Sequence, residues 1–392
     1  MKTYDFGTVI DRSGSDDVKH SLLNVGWGRN DLLPMWVADM DFAVGDFITD
    51  ALRKRIEHPI FGYTVPPQDY WPAVMDWIGT HHNWKVRREW LCYIPGIVKG
   101  IGMVINVFTR PGDKVIIQPP VYHPFRNVPV GNGRVVVDNP LRMREDGYYD
   151  MDFDNLEKVC DEQCKVLILS NPHNPGGLCW SLETLRRLAD FCHAHHLLVI
   201  SDEIHCDMAL FGHRHIPFAS VSDKAAQISI TFGAPTKTFN IAGIVSSYAV
   251  VPNEELRSKF YGWLKANEFD APNLFAPIVT MAAYREGEEW RRQLIRYLED
   301  NIRFVENYCR EHLPQIRPLR PQASFLIWLN CRDLHLTHDQ LLCLFIDKAH
   351  LALNDGEMFG LGGEGFMRLN VGCPRSIIRQ GLEQLDAAVA QL

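Results

Sequence analysis

Six short segments built almost wholly from apolar residues, most of them breaking off into polar or small residues, constrain this chain more than any other feature. They lie at 115–118, 134–137, 166–170, 198–202, 228–232 and 247–251. A strand apolar on both sides is covered on both faces, as in a parallel sheet sandwiched between helices. Between the segments, 181–195 and 253–267 carry apolar residues at three- and four-residue spacing, which marks helices that lay one face on a sheet. The alternation predicts βα units, and with them a three-layer α/β/α domain with a mostly parallel sheet over residues 46–287. After Gly287 a long amphipathic stretch runs to Leu313 with Trp290, Leu294, Leu298, Ile302 and Val305 on one face, the length of an interdomain helix. Beyond it the pattern reads strand 325–329, helix 338–350, strand 367–371 and helix 376–391. This predicts a smaller α+β domain made of 288–392 together with the N-terminal segment 1–45. Two domains also suit 392 residues, because single cores stop growing at roughly 250 to 300.

Several function classes are excluded before any motif is considered. The net charge is −8 and the Lys and Arg residues are scattered, so there is no basic stripe for nucleic acid. No apolar run approaches the ~18 residues of a membrane span, and Met1 to Ser15 is polar and partly acidic, unlike a signal peptide. A cytoplasmic protein is expected. Of ten cysteines, Cys92, Cys160, Cys192, Cys309 and Cys343 fall within apolar elements and none form C-x-x-C pairs, so they are expected to be reduced core residues. His193, His195 and His196 sit where a helix should end, with no carboxylate at helical spacing, and are read as a solvated helix end rather than a metal site.

Four features carry chemistry. The strand ending Ile200-Ser201-Asp202-Glu203 delivers a carboxylate to the carboxyl end of a sheet, where ligands of open parallel sheets bind; an Asp there also serves as a helix cap. Ser170-Asn171-Pro172-His173-Asn174-Pro175-Gly176-Gly177 follows another strand, with its path fixed by two prolines and two glycines and an amide at Asn174. Phe232-Gly233-Ala234-Pro235-Thr236-Lys237 places one lysine among small and apolar residues, and partial desolvation would raise the share of neutral, nucleophilic amine. Pro95-Gly96-Ile97-Val98-Lys99-Gly100 opens an apolar helix whose free N–H groups would suit a phosphate. Each has an ordinary structural reading alone. Together they offer a carboxylate, an amide, a lysine and an anion cradle, the set that pyridoxal 5′-phosphate requires.

The motifs Met35-Trp36-Val37-Ala38-Asp39-Met40-Asp41-Phe42, Gly62-Tyr63-Thr64 and Ala234-Pro235-Thr236-Lys237-Thr238-Phe239-Asn240-Ile241-Ala242-Gly243 make the resemblance specific. The chain resembles fold-type I pyridoxal-phosphate enzymes of the aminotransferase class I/II superfamily, and within them the MalY/PatB group of cystathionine β-lyases that includes cystalysin. The resemblance runs from about Met35 to Arg375. It implies Lys237 as the lysine that carries the cofactor as a Schiff base and shuttles protons, Asp202 as partner of the pyridinium nitrogen, Asn174 on the phenolic oxygen and Tyr122 stacked on the ring. It also implies backbone contacts from Val98 and Lys99 to the phosphate, a phosphate contact from Tyr63 of a second subunit, and hence a homodimer with shared active sites. Arg368, in Phe366-Met367-Arg368-Leu369-Asn370-Val371-Gly372, resembles the arginine that takes the substrate carboxylate; Asn174 and Ala38 complete the expected substrate contacts.

The activity implied is elimination from a cysteine S-conjugate such as cystathionine, giving a thiol, pyruvate and ammonia. Typical class I aminotransferases have a Ser three residues before the lysine and an Arg soon after it. Here Ala234 and the arginine-free stretch Ile241 to Val245 stand instead, which favours the lyase branch. His123 stands where some lyases of the group have a second tyrosine, so no role is transferred to it. An aminotransferase acting on a small amino acid is the main rival, and a further role in binding a transcription regulator is a third reading.

Overall fold

The computed structural model describes residues 2–392; Met1 lies outside the described residues. Its centre is a seven-stranded sheet formed by β1 (Leu91–Ile94), β2 (Lys114–Ile117), β3 (Val135–Asp138), β4 (Cys164–Ser170), β5 (Leu198–Asp202), β6 (Ser229–Gly233) and β7 (Ser247–Val250), in spatial order β1-β7-β6-β5-β4-β2-β3. The six strands read from the sequence all form, with ends displaced by no more than two residues. Leu91–Ile94 is the strand the sequence hid: four residues wedged between Trp90 and Pro95 are too few to show a period. One expectation is corrected. β7 runs antiparallel to both β6 and β1, because the link from β6 carries no crossover helix, and a parallel return needs one of a dozen or more residues. The remaining pairs are parallel, so the sheet is mostly parallel as expected.

Register sets the site. Ser170 pairs level with Asp202, and Asp202 level with Phe232. Three strands therefore end side by side, and the loops that follow them leave one edge of the sheet together. Helix Leu182–Ala194 is capped by the Ser181 side chain and helix Glu254–Ala266 by that of Asn253, each within a residue of the predicted ends. Helix Ile97–Phe108 lies tight on the sheet: a Cβ on Gly100 would come within 2.8 Å of Ile94 and 3.0 Å of Phe232. The residues at and just past the first helix end behave as predicted, His193 and His196 being exposed and His195 half-buried.

The 25-residue helix Glu288–His312 buries Trp290, Leu294, Leu298, Ile302 and Val305, the predicted face, in the largest apolar core. Past it lies a four-stranded sheet of β8 (Arg317–Leu319), β9 (Leu326–Asn330), β10 (Asn354–Asp355) and β11 (Phe366–Asn370), in order β8-β9-β11-β10, with helix Arg375–Val389 packed nearby. The helix expected at 338–350 is regular only for His338–Cys343 and widens into a π-turn over Leu344–Lys348. Leu33 and Pro34 pair in parallel with Leu351 and Ala352 as a separate two-stranded sheet, tying the N-terminal segment to the C-terminal part of the chain. On this topology we propose the division into a large unit, 46–287, and a small one, 1–45 with 288–392.

Among the described residues all ten cysteines are unpaired, but not all are core: Cys343 is exposed and Cys92, Cys160 and Cys179 are half-buried. No helix among the described residues is long and apolar enough to cross a membrane. Gly100→Val should cost roughly 1–3 kcal/mol, the usual penalty of overpacking, and a denaturant titration should show the loss.

Candidate active site

Asp202 closes β5 and is 8 % exposed. Its Oδ1 accepts the Ile204 N–H at 3.1 Å. Burial drives this carboxyl up to about 6, against the partial relief of that N–H and of the positive charge on Lys237. The next strand ends at Gly233, and the loop after it coils tightly: Phe239 N–H donates to the Pro235 carbonyl at 2.9 Å and Ile241 N–H to that of Thr236 at 3.0 Å. This coil presents Lys237, whose Nζ donates to the Ala38 carbonyl at 2.6 Å. Burial, and then the nearby charge of Arg368, lower its pKa to about 8. The adjoining Thr238 hydroxyl faces Asp207, a buried carboxylate that also accepts from the Trp77 indole (2.9 Å) and the His82 ring (2.7 Å).

The loop after β4 folds back on itself, with Asn174 N–H donating to Ser170 Oγ at 3.1 Å. The Asn174 carbonyl accepts the Tyr122 N–H at 3.1 Å, joining the amide loop to the tyrosine loop. Its side-chain oxygen accepts from Arg368 Nη1 at 3.0 Å. Across the cavity, Gly96 opens helix Ile97–Phe108 with φ of 111°, a conformation that L side chains avoid. The first N–H groups of that helix, including those of Val98 and Lys99, have no partner within it.

Residues 35–42 form a strap across this edge. The Asn370 side chain donates to the carbonyls of Val37 (2.5 Å) and Asp39 (2.7 Å). Asn240 donates to the carbonyls of Met40 (2.8 Å) and Phe42 (2.9 Å) and accepts the Met40 N–H at 3.0 Å. Arg368, 4 % exposed on β11, donates from Nη2 to the Trp36 carbonyl (3.0 Å) and to the Asn354 side chain, and stacks 5.0 Å over Phe359. Burial lowers its pKa to about 10. Thus Ala38, Val98, Lys99, Tyr122, Asn174, Asp202 and Lys237 line one cavity of about 290 Å³, and Arg368 is bonded to its wall. Tyr63 is not brought there by its own chain: it is fully exposed.

Sequence reading missed several lining residues, among them Thr236, Ser247 and His205. His205 is 5 % exposed, its Nδ1 has no partner, and burial pushes its pKa down to about 3, so it is neutral. Its signal was its place three residues past Asp202, on the strand-end turn. The clamping amides Asn240 and Asn370 were in quoted motifs, but nothing in sequence shows that they grip the strap.

The cavity fits pyridoxal 5′-phosphate on its own evidence. A desolvated carboxylate at the floor suits a protonated ring nitrogen, a lysine of lowered pKa suits a carbonyl carbon, Tyr122 offers a ring face, and the unpaired N–H groups at the Gly96 helix start suit a phosphate. Fold and site together define an α/β enzyme built to hold this cofactor. Residues 39–385 match the family described as aminotransferase class I and II, and the chain belongs to that family. It is 43% identical to the cystathionine beta-lyase PatB of Bacillus subtilis (strain 168), over 98% of this chain and 100% of the relative. It is 32% identical to Protein MalY of Escherichia coli (strain K12), over 98% and 99% respectively. The crystal structure of cystalysin from Treponema denticola, which contains a pyridoxal 5′-phosphate cofactor, superposes with a TM-score of 0.95 at 32% identity, covering 100% of both chains.

Because the Asp202 carboxyl is raised from 3.8 to about 6, its ionised form destabilises the cofactor-free fold: the cost is absent below the lower value and complete above the upper one. Asp202→Asn should therefore stabilise cofactor-free protein, with the gain growing by about 1 kcal/mol between pH 5 and pH 7 and levelling near ~3 kcal/mol. Denaturant titrations at the two pH values measure it.

Proposed function

We propose that the chain is a pyridoxal 5′-phosphate-dependent carbon–sulfur β-lyase that cleaves cystathionine, or another S-conjugate of cysteine, to a thiol, pyruvate and ammonia. With cystathionine the thiol is homocysteine. What carries the reading is one cavity containing Lys237 and Asp202, with Arg368 bonded to its wall, in a chain 43% identical over nearly its whole length to a cystathionine beta-lyase.

When bound, the cofactor supplies an electron sink for the pair left behind as substrate Cα loses its proton. Asp202 keeps a proton at the ring nitrogen, and a cation placed there would draw its raised pKa back down. Lys237 has the complementary task. With a pKa near 8, a share of its Nζ is neutral near pH 7, so the amine is competent to attack a carbonyl carbon and, once released by substrate, to take the Cα proton. Arg368 presents a guanidinium to the substrate α-carboxylate in bidentate geometry, its plane fixed by Asn174, Asn354, the Trp36 carbonyl and Phe359. Holding carboxylate and lysine on one rigid frame aligns the Cα–H bond for transfer. Tyr122 covers the ring face, Asn174 contacts the phenolic oxygen, Val98 and Lys99 offer N–H groups to the phosphate, and Ala38 closes the substrate side.

The working unit in this proposal is a homodimer. Ile60, Phe61, Tyr63 and Val65 are 67, 60, 111 and 86 % exposed, a run of apolar side chains of the kind that marks an interface. The partner's Tyr63 would then reach the phosphate that its own chain's tyrosine cannot. Ten unpaired cysteines support a reducing compartment, the cytoplasm.

The purified protein should be yellow and release pyruvate from L-cystathionine, and Lys237→Ala should lose the colour and at least about 10³-fold in turnover. A yellow protein that gives no pyruvate but converts its cofactor in a keto-acid-dependent way would overturn the lyase assignment in favour of an aminotransferase. Tyr63→Phe should weaken cofactor binding by roughly 10- to 100-fold, the worth of one hydrogen bond to a charged group, while sedimentation still reports a dimer.

A further inference from the structure

The strap at residues 35–42 touches both groups on which the proposed reaction turns. Its Ala38 carbonyl holds Lys237 Nζ and its Trp36 carbonyl holds Arg368. Asn370 and Asn240 grip its backbone. The side chains of Asp39 and Asp41 are held by another part of the chain, with no place in the reaction scheme.

Lys19, in the single turn Val18–Ser21, is 1 % exposed. Its Nζ lies 2.9 and 3.0 Å from the two Asp41 carboxylate oxygens and 3.0 Å from Asp39 Oδ1. Its own carbonyl accepts the Trp36 indole N–H at 2.9 Å, so the same residue grips the strap at both ends. Arg12 reinforces the contact, donating to Asp41 at 2.7 Å and to Asp39 at 2.9 Å, and it also pairs with Asp17 at 3.2 Å. Burial raises the Asp39 carboxyl, yet the hydrogen bonds from Arg12 and the charges of Lys19 and Arg12 outweigh it and leave the group below its ordinary range. An ammonium withdrawn from water this far is costly unless every partner is in place, and removing one member of such a cluster leaves an uncompensated charge. This is a different object from an exposed ion pair, which contributes little.

We infer that Lys19, seconded by Arg12, is a positioning residue of the active site: by clamping Asp39 and Asp41 it fixes the strap carbonyls that orient the Lys237 amine and the Arg368 guanidinium. Its kinetic consequence rests on the lyase reading; its structural consequence does not. The action is indirect, through Trp36 and Ala38, so the clamp governs how often the two groups stand in productive geometry rather than the chemistry itself.

The test compares wild type, Lys19→Met, which keeps the side chain's length without its charge, and Lys19→Arg, which restores the charge, all as holoenzyme. Hydrogen exchange is read by mass spectrometry together with steady-state kinetics. In Lys19→Met the amides of residues 36–42 should exchange at least about tenfold faster, with β4 and β5 unchanged. Its kcat/KM should fall roughly tenfold or more through both kcat and KM, since misplacing a reacting group by ~1 Å is enough for that. Lys19→Arg should recover most of both. Wild-type exchange in the strap of Lys19→Met, or exchange that rises uniformly along the chain, would overturn the inference and reduce Lys19 to a stabilising residue. Should Lys19→Met fail to fold, Asp41→Asn, which removes one partner and leaves Lys19 paired with Asp39, is read by the same criteria. If wild type releases no pyruvate while strap exchange still responds to Lys19, the lyase reading falls and the clamp stands.

Discussion

The backbone hydrogen bonds that hold Ser170, Asp202 and Phe232 level across β4, β5 and β6 are the constraint on which the rest depends. A slip of one residue in either pairing would turn a strand's side chains to the opposite face. Asp202 would then point into a helix layer instead of ending at the mouth of the sheet, and the loops bearing Asn174 and Lys237 would leave at different heights. The antiparallel return of β7 serves the same end. It lets the Lys237 loop form a compact excursion of about a dozen residues instead of being stretched toward a crossover helix.

The electrostatics follow from this geometry. One carboxylate and one cation are sunk into a single pocket with a second cation bonded to its wall, and among the described residues neither Lys237 nor Arg368 forms an ion pair with a carboxylate. They are held by neutral carbonyl and amide oxygens instead, which orient them without neutralising them. Each accordingly has a pKa displaced toward its uncharged form. Unpaired buried charge of this kind is costly in an empty protein and becomes favourable when complementary charges arrive. In the proposed function a pyridinium and a carboxylate are two such partners, while the lowered pKa of Lys237 leaves neutral amine for a carbonyl carbon.

Much of this was legible in the sequence, for identifiable reasons. Strands buried on both faces are apolar throughout, so β4, β5 and β6 could be read to within two residues, and the residues just beyond them announced Asn174, Asp202 and Lys237. The face of Glu288–His312 was equally plain, because five large apolar residues recur at helical spacing. β1 stayed hidden, being too short for a period, and the direction of β7 stayed hidden because direction is a property of the connection. His205 was obscured by its neighbours, since a carboxylate pair draws attention from a histidine whose pKa is lowered by burial and by the charges of Lys237 and Arg368. The strap was recognisable as a motif but mute about its mechanics: no spacing rule relates Asn370 to Val37 or Lys19 to Asp41. Such contacts between distant stretches arise from packing, which a linear pattern does not encode.

That same strap bears on how the molecule comes into being on the ribosome. Its gripping partners lie about 200 and 330 residues downstream, at Asn240 and Asn370, and Leu33 and Pro34 wait for Leu351 and Ala352. The large sheet can assemble from the nascent chain as its strands emerge. The roof over its open edge cannot be completed then, because residues 35–42 are made more than 300 residues before Asn370, one of the side chains that hold them. Until Asn370 has emerged, a growing chain holds the loops bearing Asp202 and Lys237 without every contact that closes residues 35–42 over them.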